Sequence, residues 1–243
     1  MASSGARAHP PDQFIPQAER SGAILDVGHL VLRRALADAA RWPAGPHGRR
    51  RVAVNVSGPE LADPRYLGRV HEALRRSGLP ADALILEITE GLLDVESDVV
   101  IQTLRHLRSQ GVRVAMDDFG TGYSSLARLG RLDLDLLKVD RSFVSTIRTA
   151  SSDAPLVSSI LALAAALDLT VVAEGVETPE QAAWLRDRGC QEGQGHLWSR
   201  AVPADEVGVL MTARAGGSVP HPRRDDADAD TDDAALPAAL EPA

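Results

Sequence analysis

The sequence has few aromatics, one cysteine, one lysine and no long apolar run, and each scarcity removes a class of protein. Aromatics make up 3% of the 243 residues, too few for a platform on which the bases of a single strand stack. The lone Cys190 excludes an internal disulfide framework and fits a reducing compartment. The longest apolar stretch, 160–167, covers eight residues. A bilayer span needs roughly 18 or more, so no membrane segment is expected. The first ten residues, MASSGARAHP, hold no apolar run of signal-peptide length, and the expectation is a cytoplasmic protein. Of the 26 basic residues, 25 are Arg, and Lys138 is the single Lys.

With 44% hydrophobic and 25% charged residues, most of the chain can bury a core. The formal charge is -8, and half of that excess lies in 213–243, where seven acids (Asp225, Asp226, Asp228, Asp230, Asp232, Asp233 and Glu241) face Arg214, Arg223 and Arg224. This Gly/Pro/Asp/Ala stretch shows no apolar periodicity and reads as a disordered acidic tail. The rest is only mildly acidic, so a nucleic-acid polymer is not an expected partner. The expected division is a flexible segment 1–12, a domain 13–212 and the tail 213–243.

Within the domain, β-branched or Leu-rich runs at 51–57, 84–90, 113–119, 134–140, 170–176 and 194–198 alternate with segments of helical period at 64–77, 96–110, 155–168 and 179–188. Helices also fit 23–42 and 204–214. Gly78, Gly111 and Gly189 stand where helix C-terminal caps belong, and Asp63, Asp94 and Thr178 stand near N-caps. Repeated strand-then-helix units predict a parallel α/β fold, either a barrel or an open doubly wound sheet.

Polar residues decide between the two. Almost every unit carries one at or near the strand's C-terminal end: Asn55, Glu87 with Glu90, Asp117 with Asp118, Lys138 with Asp140, Glu174 with Glu177, and Gln194. Acids inside apolar strands are costly unless paired or metal-bound. They converge on one point only if the strands curve round a common axis, as in a TIM-type barrel. Asn55, Glu87, Asp117, Asp118 and Glu174 are hard oxygen donors, suited to Mg²⁺ or Mn²⁺ rather than Zn²⁺. Adjacent Asp117 and Asp118 can address two ions, and ions about 3.5–4 Å apart are the usual device for in-line displacement at phosphorus. Lys138 would stand beside the attacking water, as an electrostatic stabiliser or as a proton acceptor with a depressed pKa. Gly120, Thr121 and Gly122 read as a loop that closes over a substrate, with Glu90 holding it from the neighbouring strand.

Together, Asn55-Val56-Ser57, Glu87-Ile88-Thr89-Glu90, the DDFGTGYSS run from Asp117, the LKVDRSFV run from Leu137, the AEGVET run from Ala173 and the QGHLWSR run from Gln194 resemble the successive motifs of the EAL-domain family. That resemblance, which starts near Phe14, implies a modified (β/α)₈ barrel that hydrolyses cyclic di-GMP to linear pGpG with two Mg²⁺ or Mn²⁺ ions. It implies metal ligation by Asn55, Glu87, Asp117 and Asp118, a place for Glu174 in the metal and water shell, and contacts from Lys138 and Gln194 to the water or its metal. It also implies loop support from Glu90 and substrate contacts from Asp140 and Glu177. His196 and Trp198 stand where the family usually has Tyr and Phe.

By count only about six of the eight barrel strands are recognisable, and the strand ending in the family's Glu-Ala-Leu triplet, whose Glu is a metal ligand, has no counterpart. The Glu72-Ala73-Leu74-Arg75 string is a decoy, because the helical stripe of 64–77 puts Glu72 on the solvent side. The expectation is therefore a weak or inactive phosphodiesterase. The alternative is a catalytically inactive module that binds cyclic di-GMP or a protein partner. Unpaired strand edges would invite a homodimer or a partner chain that completes the barrel.

Overall fold

The computed structural model describes residues 10–43, 51–94, 97–120, 132–149 and 151–215. Six strands, β1 (Val52–Asn55), β2 (Leu84–Thr89), β3 (Arg113–Phe119), β4 (Leu136–Val139), β5 (Thr170–Ala173) and β6 (Glu192–Gly193), form one parallel sheet in chain order. The helices are α1 (Pro11–Ser21), α2 (Ile24–Ala39), α3 (Gly58–Ala62), α4 (Tyr66–Ser77), α5 (Asp98–Ser109), α6 (Arg141–Val144), α7 (Pro155–Ala166), α8 (Pro179–Asp187) and α9 (Ala204–Ala215).

Alternation along each strand gives the sheet two unlike faces. Val54, Leu86, Ile88, Val114, Met116, Leu137, Val139 and Val171 point to one side and share a core with Leu36, Val70, Leu104, Leu107, Ile160, Trp184 and Leu185 of the helices. On the other side Ile85, Ala115 and Leu136, with Val172 against them, make a small separate cluster. One pleat further along that side come Asn55, Glu87, Asp117 and Lys138. The register pairs Asn55 with Glu87, Thr89 with Asp117 and Lys138 with Val172.

The sheet curls toward its second face. Laid flat, six strands would hold β1 and β6 about 24 Å apart at the usual inter-strand spacing, beyond the joint reach of an Arg and a Glu. Yet Arg51, immediately before β1, brings Nη1 to 3.5 Å from Oε1 of Glu192 on β6. The helical layer follows the same curve, since the Trp42 indole N–H just past α2 donates to the Ala204 carbonyl at the start of α9 (2.9 Å). The architecture is thus an incomplete TIM-type barrel of six parallel strands, the α/β class expected from the sequence.

Local chemistry sets the boundaries. Gly78 ends α4 with φ 69° and donates its N–H to the Leu74 carbonyl, a left-handed cap that glycine adopts without penalty. Thr178 caps α8 in a reciprocal box with Gln181. Three expectations need correction. The last strand is Glu192–Gly193, and 194–198 turns instead, with the Trp198 N–H donating to the Gly195 carbonyl. A Cβ on Gly195 would collide with the Val176 backbone, so the chain lies too close there to continue as a pleated strand. The helix α1 opens at Pro11, inside the segment expected to be flexible. Ahead of α4 a separate short helix, α3, is nucleated by the Ser57–Glu60 capping box.

Candidate metal centre

The centre is assembled from strand ends. Lys138 is 6% exposed, and its Nζ lies 2.9 Å from Glu87 Oε1, 2.8 Å from Asp117 Oδ1 and 2.7 Å from Glu174 Oε1. These groups come from β4, β2, β3 and the residue after β5, so side chains far apart in sequence meet because the sheet is concave. One carboxylate oxygen each from Asp117, Asp118 and Glu174 lies within 4.8 Å of the others. Asn55 sits exposed at the end of β1, beside Glu87 in the register.

Asp118 is the conformational oddity. Its φ is 54°, in the left-handed region that a non-glycine residue rarely occupies, and its N–H donates to Asp117 Oδ1 at 3.0 Å. Asp is among the residues that tolerate this geometry, at a cost of order 1–3 kcal/mol. The twist lets two consecutive acids serve one centre, where a regular strand would send them to opposite faces. It coincides with the register shift between β3 and β4 at Met116/Phe119.

The electrostatics are those of an excess of anions. Burial pushes the Glu174 carboxyl up, with Lys138 opposing and Asp117 and Glu87 adding to the rise. Burial also raises Asp118, helped by the Asp117 and Asp140 carboxylates. Burial alone would lower Lys138, but hydrogen bonds to Asp117, Glu174 and Glu87 outweigh it and hold the ammonium well above the usual lysine range. The expectation of a depressed lysine pKa is therefore corrected: three carboxylates surround this amine, and they keep it charged. One ammonium does not balance four carboxylates, and the donor atoms are all hard oxygens. That set fits a divalent cation.

A cleft of about 470 Å³ adjoins the centre, lined by Glu174, Glu177, Gln194, Arg141, His196 and Arg200 among others. Glu177 Oε1 receives a bond from Arg141 Nη2 at 2.8 Å. Gln194 is exposed at the cleft. Asp140 has a structural task as well: its Oδ1 caps α6 by accepting from the Ser142 N–H (2.9 Å) and hydroxyl (2.5 Å), and these bonds hold its carboxyl below the usual range. Glu90 begins a 3₁₀ turn directly after β2. Gly120 has φ 96° and lies against the Phe143 ring, while Thr121 and Gly122, the other expected loop residues, lie outside the described residues. Arg141 and Arg200 went unassigned in the sequence. Their signal was a cation placed directly after a polar strand end or turn.

Fold and centre together define a TIM-type barrel protein with a cluster of carboxylates round one lysine at the C-terminal ends of its strands. The EAL domain family matches residues 1–201, and the chain belongs to that family. It is 47% identical over 203 residues to the cyclic di-GMP phosphodiesterase NbdA of Pseudomonas aeruginosa, covering 84% of this chain and 26% of NbdA. The solved c-di-GMP complex of the PaMucR phosphodiesterase superposes with a TM-score of 0.73 at 41% identity, over 81% of this chain and 80% of that one. BlrP1 of Klebsiella pneumoniae, solved with manganese and cyclic di-GMP, gives 0.67 at 32% identity, over 79% of this chain and 48% of that one. The chain spans about a quarter of the length of the curated relatives it matches.

Proposed function

We propose that this chain acts on cyclic di-GMP, opening one phosphodiester bond to give linear pGpG, with Mg²⁺ or Mn²⁺ held by Asn55, Glu87, Asp117, Asp118 and Glu174. The observation that carries the reading is the Lys138 ammonium drawn in by carboxylates from three other strands' ends. Divalent cations bound there would supply Lewis-acid polarisation of the phosphoryl group and a more acidic water. Lys138, held charged, stabilises negative charge developing beside the attacked phosphorus. Glu174, whose carboxyl is raised, and the Gln194 amide orient the water. Glu177 and Asp140 face the nucleotide, and Arg141 and Arg200 offer guanidinium groups to its second phosphate. The same reading puts the protein in the cytoplasm.

A second reading is binding of cyclic di-GMP or a protein partner without turnover, and one observation favours it. Glu72 of the Glu-Ala-Leu string lies on α4, paired with Arg75 (2.6 Å) and Arg76 (2.5 Å). The described residues therefore bring no carboxylate of such a triplet to the centre, and under this reading the chain alone is a weak or inactive phosphodiesterase. The outer edges of β1 and β6 are unpaired among the described residues, and a homodimer or partner chain would pair there. Calorimetry with cyclic di-GMP, with and without Mn²⁺, combined with product analysis, separates the readings. Binding with pGpG released supports the first, binding with cyclic di-GMP recovered intact supports the second, and no binding overturns the first and leaves of the second only the protein partner.

A further inference from the structure

On the outer, helical surface, α2 and α4 frame a groove of about 340 Å³. Its floor is apolar, with Ala37, Ala40 and Ala73, and Leu30 beside them is 62% exposed. Its charged lining is of one sign, namely Arg33, Arg34 and Arg76, with no acid among the lining residues. Arg33 makes no ion pair among the described residues, and Arg34 meets Asp38 only at 3.8 Å with its side chain 81% exposed. A mildly acidic protein thus carries a groove with an all-cationic charged lining over an apolar floor, in which Arg76 is held by Glu72 (2.5 Å) on its own helix while Arg33 and the loosely held Arg34 remain open to a further anion.

We propose that the acidic segment 225–241 of this same chain occupies the groove. Charge and composition match: six Asp between 225 and 233 precede Ala234-Ala235-Leu236 and Ala238-Ala239-Leu240, so one segment offers anions for the three arginines and small apolar side chains for the floor. Connectivity matches too. The helix α9 starts at Ala204, whose carbonyl accepts from Trp42, two residues beyond the groove's Ala40. The 12 residues of α9 can carry the chain at most about 18 Å from that point. The ten residues from Ala215 to Asp225 reach about 33 Å when extended, enough to come back. Because the tether is short, the local concentration of tail at the groove is high, and exposed ion pairs that are individually weak act together.

The test uses the full chain with Cys190→Ala and a nitroxide on Asp230→Cys, observed by NMR. At low salt the amide signals of Ala37, Ala40 and Ala73 are lost to paramagnetic broadening. They return at about 0.5 M salt, where the Debye length falls to about 4 Å. Arg33→Glu with Arg76→Glu abolishes the broadening, and adding Asp226→Arg and Asp228→Arg restores it, a rescue that a merely misfolded variant would not give. Three results overturn the proposal: no broadening at low salt, broadening indifferent to the charge reversal, or broadening of unlabelled protein mixed with labelled protein, which would place the tail on a second copy.

Discussion

On its outer face the sheet meets the helices through Leu86, Ile88, Met116 and Leu137, all fully buried. On its inner face, one residue away along the same strands, stand Glu87, Asp117 and Lys138. The first set stabilises the fold by removing apolar surface from water, roughly 1.5–3 kcal/mol for each large side chain. The carboxylates gathered on this inner face work against stability, since burial and mutual repulsion raise Glu174 and Asp118, and the Lys138 ammonium offsets part of that cost. Alternation in a strand lets one backbone carry both, so the apolar layer holds in place a cluster of charges that would not gather unaided. Substitutions on the two sides should therefore differ in kind: outer changes lower stability whatever ions are present, and inner changes alter the response to ions.

Trp184→Ala should have the largest effect. The indole is 1% exposed, donates to the Ser152 carbonyl (2.9 Å) and lies under the Arg188 guanidinium. A loss of about 4 kcal/mol in urea unfolding is expected, unchanged by added Mn²⁺. Lys138→Met comes next. Removing the ammonium leaves three carboxylates facing one another, at a cost of about 3 kcal/mol. Added Mn²⁺ should recover part of that loss in a thermal melt. Because Lys138 is raised when folded, its contribution is fully present below the ordinary lysine value of 10.5 and is lost only as pH rises through the higher folded value. The gap between wild type and variant should therefore stay constant from pH 7 to about 10 and shrink as pH rises above 10.5.

Gly195→Ala lies at the border between the two regions. Its Cβ would press on the Val176 backbone, costing about 2 kcal/mol. It should also weaken cyclic di-GMP binding in calorimetry, because Gln194, His196 and Arg200 move with this turn. Glu72→Gln should do least, leaving the urea midpoint close to that of wild type, as expected for exposed helix pairs. It should leave Mn²⁺ affinity unchanged. A drop in that affinity would mean that the string on α4 contributes to the centre after all.

The outer face was the legible part of the sequence. Leu84, Leu86 and Ile88 of one run and Val114 and Met116 of the next give successive outward positions that are all apolar, and Gly78 and Gly111 follow the helices that precede these strands, so the strand-helix repeat could be read directly. Where the pattern failed, a contact or a cap decided the outcome. Residues 194–198 look like a strand, but Gly195 packs on Val176 and the chain turns. Pro11–Ser21 did not stand out because it carries Pro11 and Pro16: the first sits in the opening turn, where proline is tolerated, but the second lies inside the helix, where proline ordinarily breaks the pattern. That Glu87, Asp117, Lys138 and Glu174 meet was legible because polar residues recur at strand ends and because the chain's single Lys, against 25 Arg, falls at one of them. Its protonation was not, since spacing along a chain does not count how many carboxylates a curved sheet gathers round one amine.

The central claim is that the inner face holds a divalent cation on Asp117, Asp118 and Glu174. The direct measurement is a Mn²⁺ titration followed by electron paramagnetic resonance, on wild type and on Asp117→Asn with Asp118→Asn. The account predicts saturable loss of the free-ion signal in wild type, with affinity at least about tenfold weaker in the variant, whose fold is as stable or more stable without metal because two repelling charges are gone. Equal titrations for the two proteins would contradict it.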